Sequence, residues 1–215
     1  MAEGIGIRAE FTSRDHALEV ISAVFLSLAT LASSWSAYQA TRWSGVQAIA
    51  FSQASTLRVE SAKKTAVAGR KFSIQVGLFV QYATAKSQNN EVLAEFLLER
   101  FPPELKKATE AWMRTDPFED PDAPSSPFSM PEYQVTEQRE AMELTEEAAE
   151  SFDKARHANQ TGDNYILLTV LFASVLFFSG VAPKFRAFRL RVAMLTLGGL
   201  VLVGAALVLS TYPVH

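Results

Sequence analysis

Pro183-Lys184-Phe185-Arg186-Ala187-Phe188-Arg189-Leu190-Arg191 sets four positive charges between two long apolar runs. Lysine and arginine in a short loop between such runs are retained on the cytoplasmic side of a membrane. This one stretch therefore marks an integral membrane protein and orients it. The runs on either side cover 165–182 and 192–212. Each is close to the roughly 20 residues that carry a helix across a hydrocarbon core of about 30 Å.

A third run at 17–37 is apolar but interrupted by Ser22, Ser27, Thr30, Ser33, Ser34 and Ser36, whose hydroxyls make transfer into lipid less favourable. A cleaved leader would show a stronger positive flank, a shorter apolar core and a small-residue cleavage site, so the run reads as an uncleaved signal anchor. Mean hydropathy is only +0.07, a value a soluble protein could have. The information lies in the segregation of apolar and charged residues. The expected fold is an all-α integral membrane protein with three transmembrane helices and an extracytoplasmic helical hairpin domain.

With the 183–191 turn inside, the remaining boundaries follow by alternation. They are a cytoplasmic N-terminus at 1–15, a first span at 16–40, an extracytoplasmic domain at 41–163, a second span at 164–182, a third at 192–212 and an extracytoplasmic end at 213–215.

Inside 41–163, residues 44–87 contain no proline, and small or apolar side chains recur at spacings of three and four from Val46 through Ala50, Ala54, Leu57, Ser61, Thr65, Ala68, Phe72, Val76 and Phe79 to Ala83. That is helical periodicity. Nothing breaks the chain between Tyr38 and Ser44, so the first span is expected to continue into this helix, with Gly45 the only weak point. Asn89-Asn90 marks a turn, and a short amphipathic helix with Val92, Leu93, Phe96, Leu97 and Phe101 ends at Pro102-Pro103. Pro103 suits the first turn of the next helix, whose stripe is Leu105, Ala108 and Trp112. Five prolines between Asp116 and Pro131 exclude a helix, yet Phe118, Phe128, Met130 and Tyr133 predict a strap (116–131) packed along the helices. The last helix of the domain is expected from about Glu132 to Gln160, with Ala141, Leu144, Ala148, Phe152, Ala155 and Ala158 on one face. It then feeds the second span as one arm of an alanine-seamed antiparallel stalk.

Composition closes several routes. A net charge of −3 without a Lys/Arg stripe gives no footprint for nucleic acid. Absence of cysteine removes disulfides, thiolate metal sites and cysteine nucleophiles. There is no His-x-x-x-His or phosphate loop, no Gly-x-Ser-x-Gly, and histidine occurs only at 16, 157 and 215. No catalytic residue, metal or cofactor is expected.

Four constellations remain. His16 and Glu19 share a helix face and could relay protons, or simply sit at the headgroups. Ser22, Ser27, Thr30, Ser33 and Ser34 could line a pore in an oligomer, or pack tightly with hydroxyls bonded back one turn. Tyr38, Gln39, Arg42 and Trp43 should stand level with Asn159, Gln160, Asp163, Asn164 and Tyr165. An Arg42–Asp163 pair there could fix the helix register or hold a polar ligand, although an aromatic and polar belt at the headgroups is the ordinary outcome. Lys184, Arg186, Arg189 and Arg191 anchor the topology and could also attract anionic lipid.

The runs Ser36-Ala37-Tyr38-Gln39-Ala40-Thr41-Arg42-Trp43-Ser44-Gly45, Ser126-Pro127-Phe128-Ser129-Met130-Pro131-Glu132-Tyr133 and Ala155-Arg156-His157-Ala158-Asn159-Gln160 resemble those of an uncharacterised family of small three-helix bacterial membrane proteins. The resemblance implies a bacterial inner-membrane setting and carries over no catalytic residue.

The expected function is a non-enzymatic oligomeric scaffold or sensor. Membrane lipid, further copies of the chain and an envelope protein are its expected partners. The alternatives are a homo-oligomeric pore lined by the first span and, more weakly, a membrane enzyme acting on lipid or cell-wall precursors.

Overall fold

The computed structural model describes residues 15–215, with the backbone of the first helix carried back to Glu3. Its α-helices are α1 (Glu3–Ser87), α2 (Glu91–Glu99), α3 (Pro103–Met113), α4 (Thr136–Val181) and α5 (Phe188–Thr211), with single 3₁₀ turns at Pro127–Ser129 and Ala182–Lys184. No strand occurs among the described residues. Three helical stretches, within Asp15–Ser87, Thr136–Lys184 and Phe188–Thr211, are long and apolar enough to cross a membrane.

The chain divides into two compact units, one of Met1–Phe51 with Phe152–His215, the other of Ser52–Ser151. Both α1 and α4 contribute residues to each. Helix α1 passes Tyr38–Ser44 and Gly45 without a break, since no residue there lacks an N–H or forces a non-helical backbone.

In the 52–151 unit, Ala54, Ser61, Ala68, Gln75 and Tyr82 of α1 are buried. They recur at every seventh position, the period of a helix that keeps one seam on its neighbour. From α4 the seam is met by Ala141, Ala148 and Ser151, all buried. The stripe expected from the periodicity departs from this line: Thr65 and Phe72 are exposed while Gln75 is 2% exposed. A count of apolar residues passes over a glutamine that is buried because both ends of its amide are bonded.

A second core forms at the α1–α2 turn from Tyr82, Ala85, Ala94, Phe101 and Leu105, with Phe79, Phe128 and Tyr133 packed on it. Asn89 has φ 56°, a left-handed conformation that asparagine tolerates. Asn90 Oδ1 then caps α2 by accepting the Leu93 N–H at 3.2 Å. The stripe expected on α2 is corrected: Ala94 and Phe101 are buried, whereas Val92, Leu93 and Phe96 are exposed.

The strap is ordered where its aromatics find rings. Phe128 sits edge-on to Tyr133 at 5.0 Å, Phe72 at 5.2 Å and Phe79 at 5.7 Å, the geometry ring quadrupoles favour. Trp112 Nε1 donates to the Pro124 carbonyl. Phe118 touches Trp112 but stays 60% exposed, so it does not pack as expected. Helix α4 begins at Thr136 rather than near Glu132, because the Tyr133 N–H turns back onto the Met130 carbonyl and its hydroxyl is held by α1.

In the other unit, α1, α4 and α5 form a three-helix bundle around Ala29, Ala40, Tyr165, Leu168, Phe172, Val175, Leu202 and Ala205. Small residues permit the approach of its backbones. A Cβ on Gly162 would lie 3.7 Å from the Ala40 carbonyl oxygen and from Trp43 Cβ, and one on Gly199 only 3.1 Å from the Phe25 ring. Phe188, Arg189, Leu190 and Arg191 belong to the first turn of α5, so the basic turn is shorter than its 183–191 span in sequence.

Candidate functional site

A polar cluster of the bundle gathers where α5 ends. Tyr212, Pro213, Val214 and His215 leave the helix and fold over α1 and α4. The Pro213 carbonyl accepts from Trp43 Nε1 at 3.2 Å and from the Tyr165 hydroxyl at 3.1 Å. The His215 N–H donates to Gln39 Oε1 at 3.1 Å. The His215 ring stands edge-on to Trp43 with centroids 5.2 Å apart, and its Nδ1 lies 3.5 Å from Arg42 Nη2. Tyr165 and Tyr212 make a second edge-on pair at 5.6 Å.

Of the residues expected here, Gln39, Arg42 and Trp43 are brought together, but by the tail rather than by Asp163. Asp163 accepts instead from Asn159 Nδ2 at 3.0 Å on its own helix, so the Arg42–Asp163 pair is replaced by Arg42–His215. Gln160 is exposed, Asn164 is half-buried, and Tyr38 faces outward at 53% exposure beside Trp35. Tyr165 joins the cluster as expected, whereas the contribution of Pro213 and His215 was missed. Their positions depend on how α5 ends against two other helices, and no local pattern encodes that.

Gln39 is fully buried and its Nε2 has no partner, as is the Ser36 hydroxyl one turn earlier. A buried donor left unmade costs about 1–3 kcal/mol.

The hydroxyl face of α1 divides. Ser27, Thr30 and Ser34 are exposed and donate to the carbonyls of Ala23, Leu26 and Thr30 at 2.7–2.9 Å, the back-bonding that satisfies a helix hydroxyl in an apolar setting. Ser22 is buried and donates across to the Ser179 carbonyl at 2.6 Å. Ser33 is half-buried. His16 and Glu19 are exposed and form no ion pair with each other. In the basic turn Lys184, Arg186 and Arg189 are exposed, whereas Arg191 is committed to Asp15 at 2.7 Å.

The 52–151 unit carries a second polar network. Gln75 Nε2 donates to Glu104 at 2.7 Å and Gln75 Oε1 accepts from the Tyr133 hydroxyl at 2.7 Å. Burial, with the nearby Glu104 carboxylate, pushes the Tyr133 phenol up to about 12. Beside it Lys71 bonds Glu137 and Lys64 bonds Glu140. The hydrogen bond from Lys71 holds the Glu137 carboxyl below its usual range and raises the ammonium in return. A groove of about 650 Å³ opens next to this network between Pro103, Lys107, Tyr133, Arg139 and Met142.

No protein-family model, curated protein or solved structure matches this chain.

Proposed function

We propose that the protein is a three-span bacterial inner-membrane scaffold or sensor. It works without catalysis, assembles with further copies of itself and presents the 41–163 segment, outside the cytoplasm, to an envelope protein. The observation that carries this reading is the division of the chain into two ordered units built on the same two helices. One has a lipid-like exterior, with Leu31 70%, Leu200 69% and Leu207 65% exposed, where a water-facing bundle would place charge. The other has a charged surface around an aromatic core. Exposed Lys184, Arg186 and Arg189 support a cytoplasmic 183–191 turn.

Native mass spectrometry of the chain in nanodiscs tests the assembly, and labelling of single cysteines introduced at Ser125 and Arg186 tests the sidedness. Several copies per particle, with only position 125 open to an external reagent, is the expected result. A strictly monomeric particle together with cytoplasmic position 125 would end the proposal.

A pore lined by α1 is the second reading, favoured by the exposed row Ser27, Thr30 and Ser34. It requires conductance in planar bilayers that is lost when Thr30 becomes Leu.

A further inference from the structure

A groove of about 500 Å³ runs between α1 and α5, lined by Leu18, Ile21 and Phe25 on one side and by Val192, Thr196 and Val203 on the other. Thr196 is the only lining residue with a polar side chain. From Val192 to Val203 the α5 wall rises through eleven positions, about 16 Å at 1.5 Å per residue. Half of a hydrocarbon core of about 30 Å is about 15 Å. The groove is therefore one leaflet deep, the reach of a single acyl chain.

Its Leu18–Val192 end adjoins the basic turn. Arg189 stands three residues before Val192, one turn along the same face of α5, and is exposed together with Lys184 and Arg186. The fourth cation, Arg191, is bonded to Asp15, so that pair cancels. Residues 164–215 contain no Asp or Glu, and the only acid of α1 between Asp15 and Arg42 is Glu19. Three exposed cations thus stand against one carboxylate at the mouth of an apolar slot.

We propose that α1 and α5 hold one anionic phospholipid, its phosphate headgroup against Arg189 and the basic turn and one acyl chain in the groove. The inference rests on the membrane-spanning part of the reading above and goes beyond it by assigning a ligand and its site. A helix from a second copy fits the groove less well. Membrane helices approach one another through small residues, whereas the rims here are leucine, isoleucine and valine. The one glycine of the lining, Gly199, is already met by Phe25, whose ring would lie 3.1 Å from an added Cβ. A flexible chain can follow such walls to a floor that a helix cannot reach.

Native mass spectrometry of the full chain in detergent, titrated with phosphatidylglycerol or phosphatidylcholine of identical acyl chains, tests the site. One phosphatidylglycerol per chain should be retained, whatever the number of chains in the particle, and at least about fivefold more tightly than phosphatidylcholine, the effect of a single cation near an anionic headgroup. Arg189→Gln should remove about that factor for phosphatidylglycerol and leave phosphatidylcholine unchanged. Thr196→Phe, at an exposed position, should fill the slot and weaken both lipids about tenfold, equivalent to about two buried methylenes. Leu207→Phe, on α5 outside the groove and 65% exposed, should change neither. Glycerophosphate, a headgroup without chains, should not displace the lipid.

Equal affinities for the two lipids, a phosphatidylglycerol affinity unchanged by Arg189→Gln or by Thr196→Phe, displacement by glycerophosphate, or fewer retained lipids than chains would each overturn the site. Flotation with phosphatidylcholine vesicles measures the membrane reading separately. A chain that floats yet shows no preference for phosphatidylglycerol overturns the lipid site alone, and one that does not float overturns both.

Discussion

Arg191 at the start of α5 donates to Asp15 on α1 across 2.7 Å, with the Arg191 side chain only 11% exposed. The pair joins the first and third apolar helices at one end of the bundle. It also withdraws one of four clustered cations from the surface. Replacing Arg191 by Ala should destabilise the protein by about 1.5–3 kcal/mol, the range of a charged hydrogen bond. The low end is expected, since Asp15 is 38% exposed. Thermal unfolding in detergent reads this out, and the swap Asp15→Arg with Arg191→Asp should recover part of the loss. Orientation should be unchanged, because Lys184, Arg186 and Arg189 remain.

Gly162 tests how closely α1 and α4 meet. A Cβ there would lie 3.7 Å from Ala40 and Trp43 atoms, ordinary contact, so Gly162→Ala should be neutral or slightly stabilising through better helix propensity. Gly162→Leu has no such space and should cost about 1–3 kcal/mol as an overpacked core. Equal melting temperatures for the two variants would contradict a close approach of α1 and α4 at Gly162.

The Gln75 network should show its coupling in a double-mutant cycle. Gln75→Leu leaves the Tyr133 hydroxyl and the Glu104 carboxylate without their partner, at a cost of about 1–3 kcal/mol. Adding Tyr133→Phe removes one orphan and should return part of it. Urea unfolding of the three variants and the parent measures the interaction, and strict additivity would argue against the network.

Alkaline titration gives a second view of Tyr133. Its phenol is raised to about 12 in the folded protein, above the usual value near 10. A raised folded pKa contributes stability that is complete below the unfolded value and is lost as pH rises through the folded one. The advantage of the parent over Tyr133→Phe should therefore shrink between about pH 10 and 12. Unfolding monitored by circular dichroism across that range checks it.

Glu137 has the opposite sign. Its carboxyl is held below the usual range first by the Lys71 hydrogen bond. The stability it contributes is present above its unfolded pKa and is lost as pH falls through the lower folded one. Lys71→Met should therefore flatten the acid limb of the stability profile below about pH 4, measured by acid unfolding. A limb identical to that of the parent would mean the pair does not persist in solution.

Some elements were legible because one residue type enforces them locally. Pro102-Pro103 ends one helix and opens the next, the prolines after Asp116 exclude a helix, and the alanines at 141, 148, 155 and 158 are all buried. Others were not. Gln75 falls outside the apolar periodicity and Gln39 within an interfacial polar cluster, yet both are among the most buried residues of α1. Burial of an amide depends on partners, Tyr133 and Glu104 for one and His215 for the other, that lie 29 to 176 positions away. The outward face of α2 escapes a sequence pattern for a related reason. Val92 and Phe96 are as apolar as Leu97, and only the position of α1 decides which of them is covered.

The sequence by itself determined three apolar helices, the basic turn between two of them and the unbroken course of α1. Each depends on composition and spacing along one stretch of chain, where desolvation and backbone hydrogen bonding act locally. The tertiary structure alone decided which polar groups would meet: Arg191 with Asp15, Gln75 with Tyr133, and the 212–215 tail with Gln39, Trp43 and Tyr165. Those contacts exist because packing brings distant segments within hydrogen-bond reach, and once water is excluded each buried donor must find a partner or remain, like the Gln39 amide and the Ser36 hydroxyl, without one.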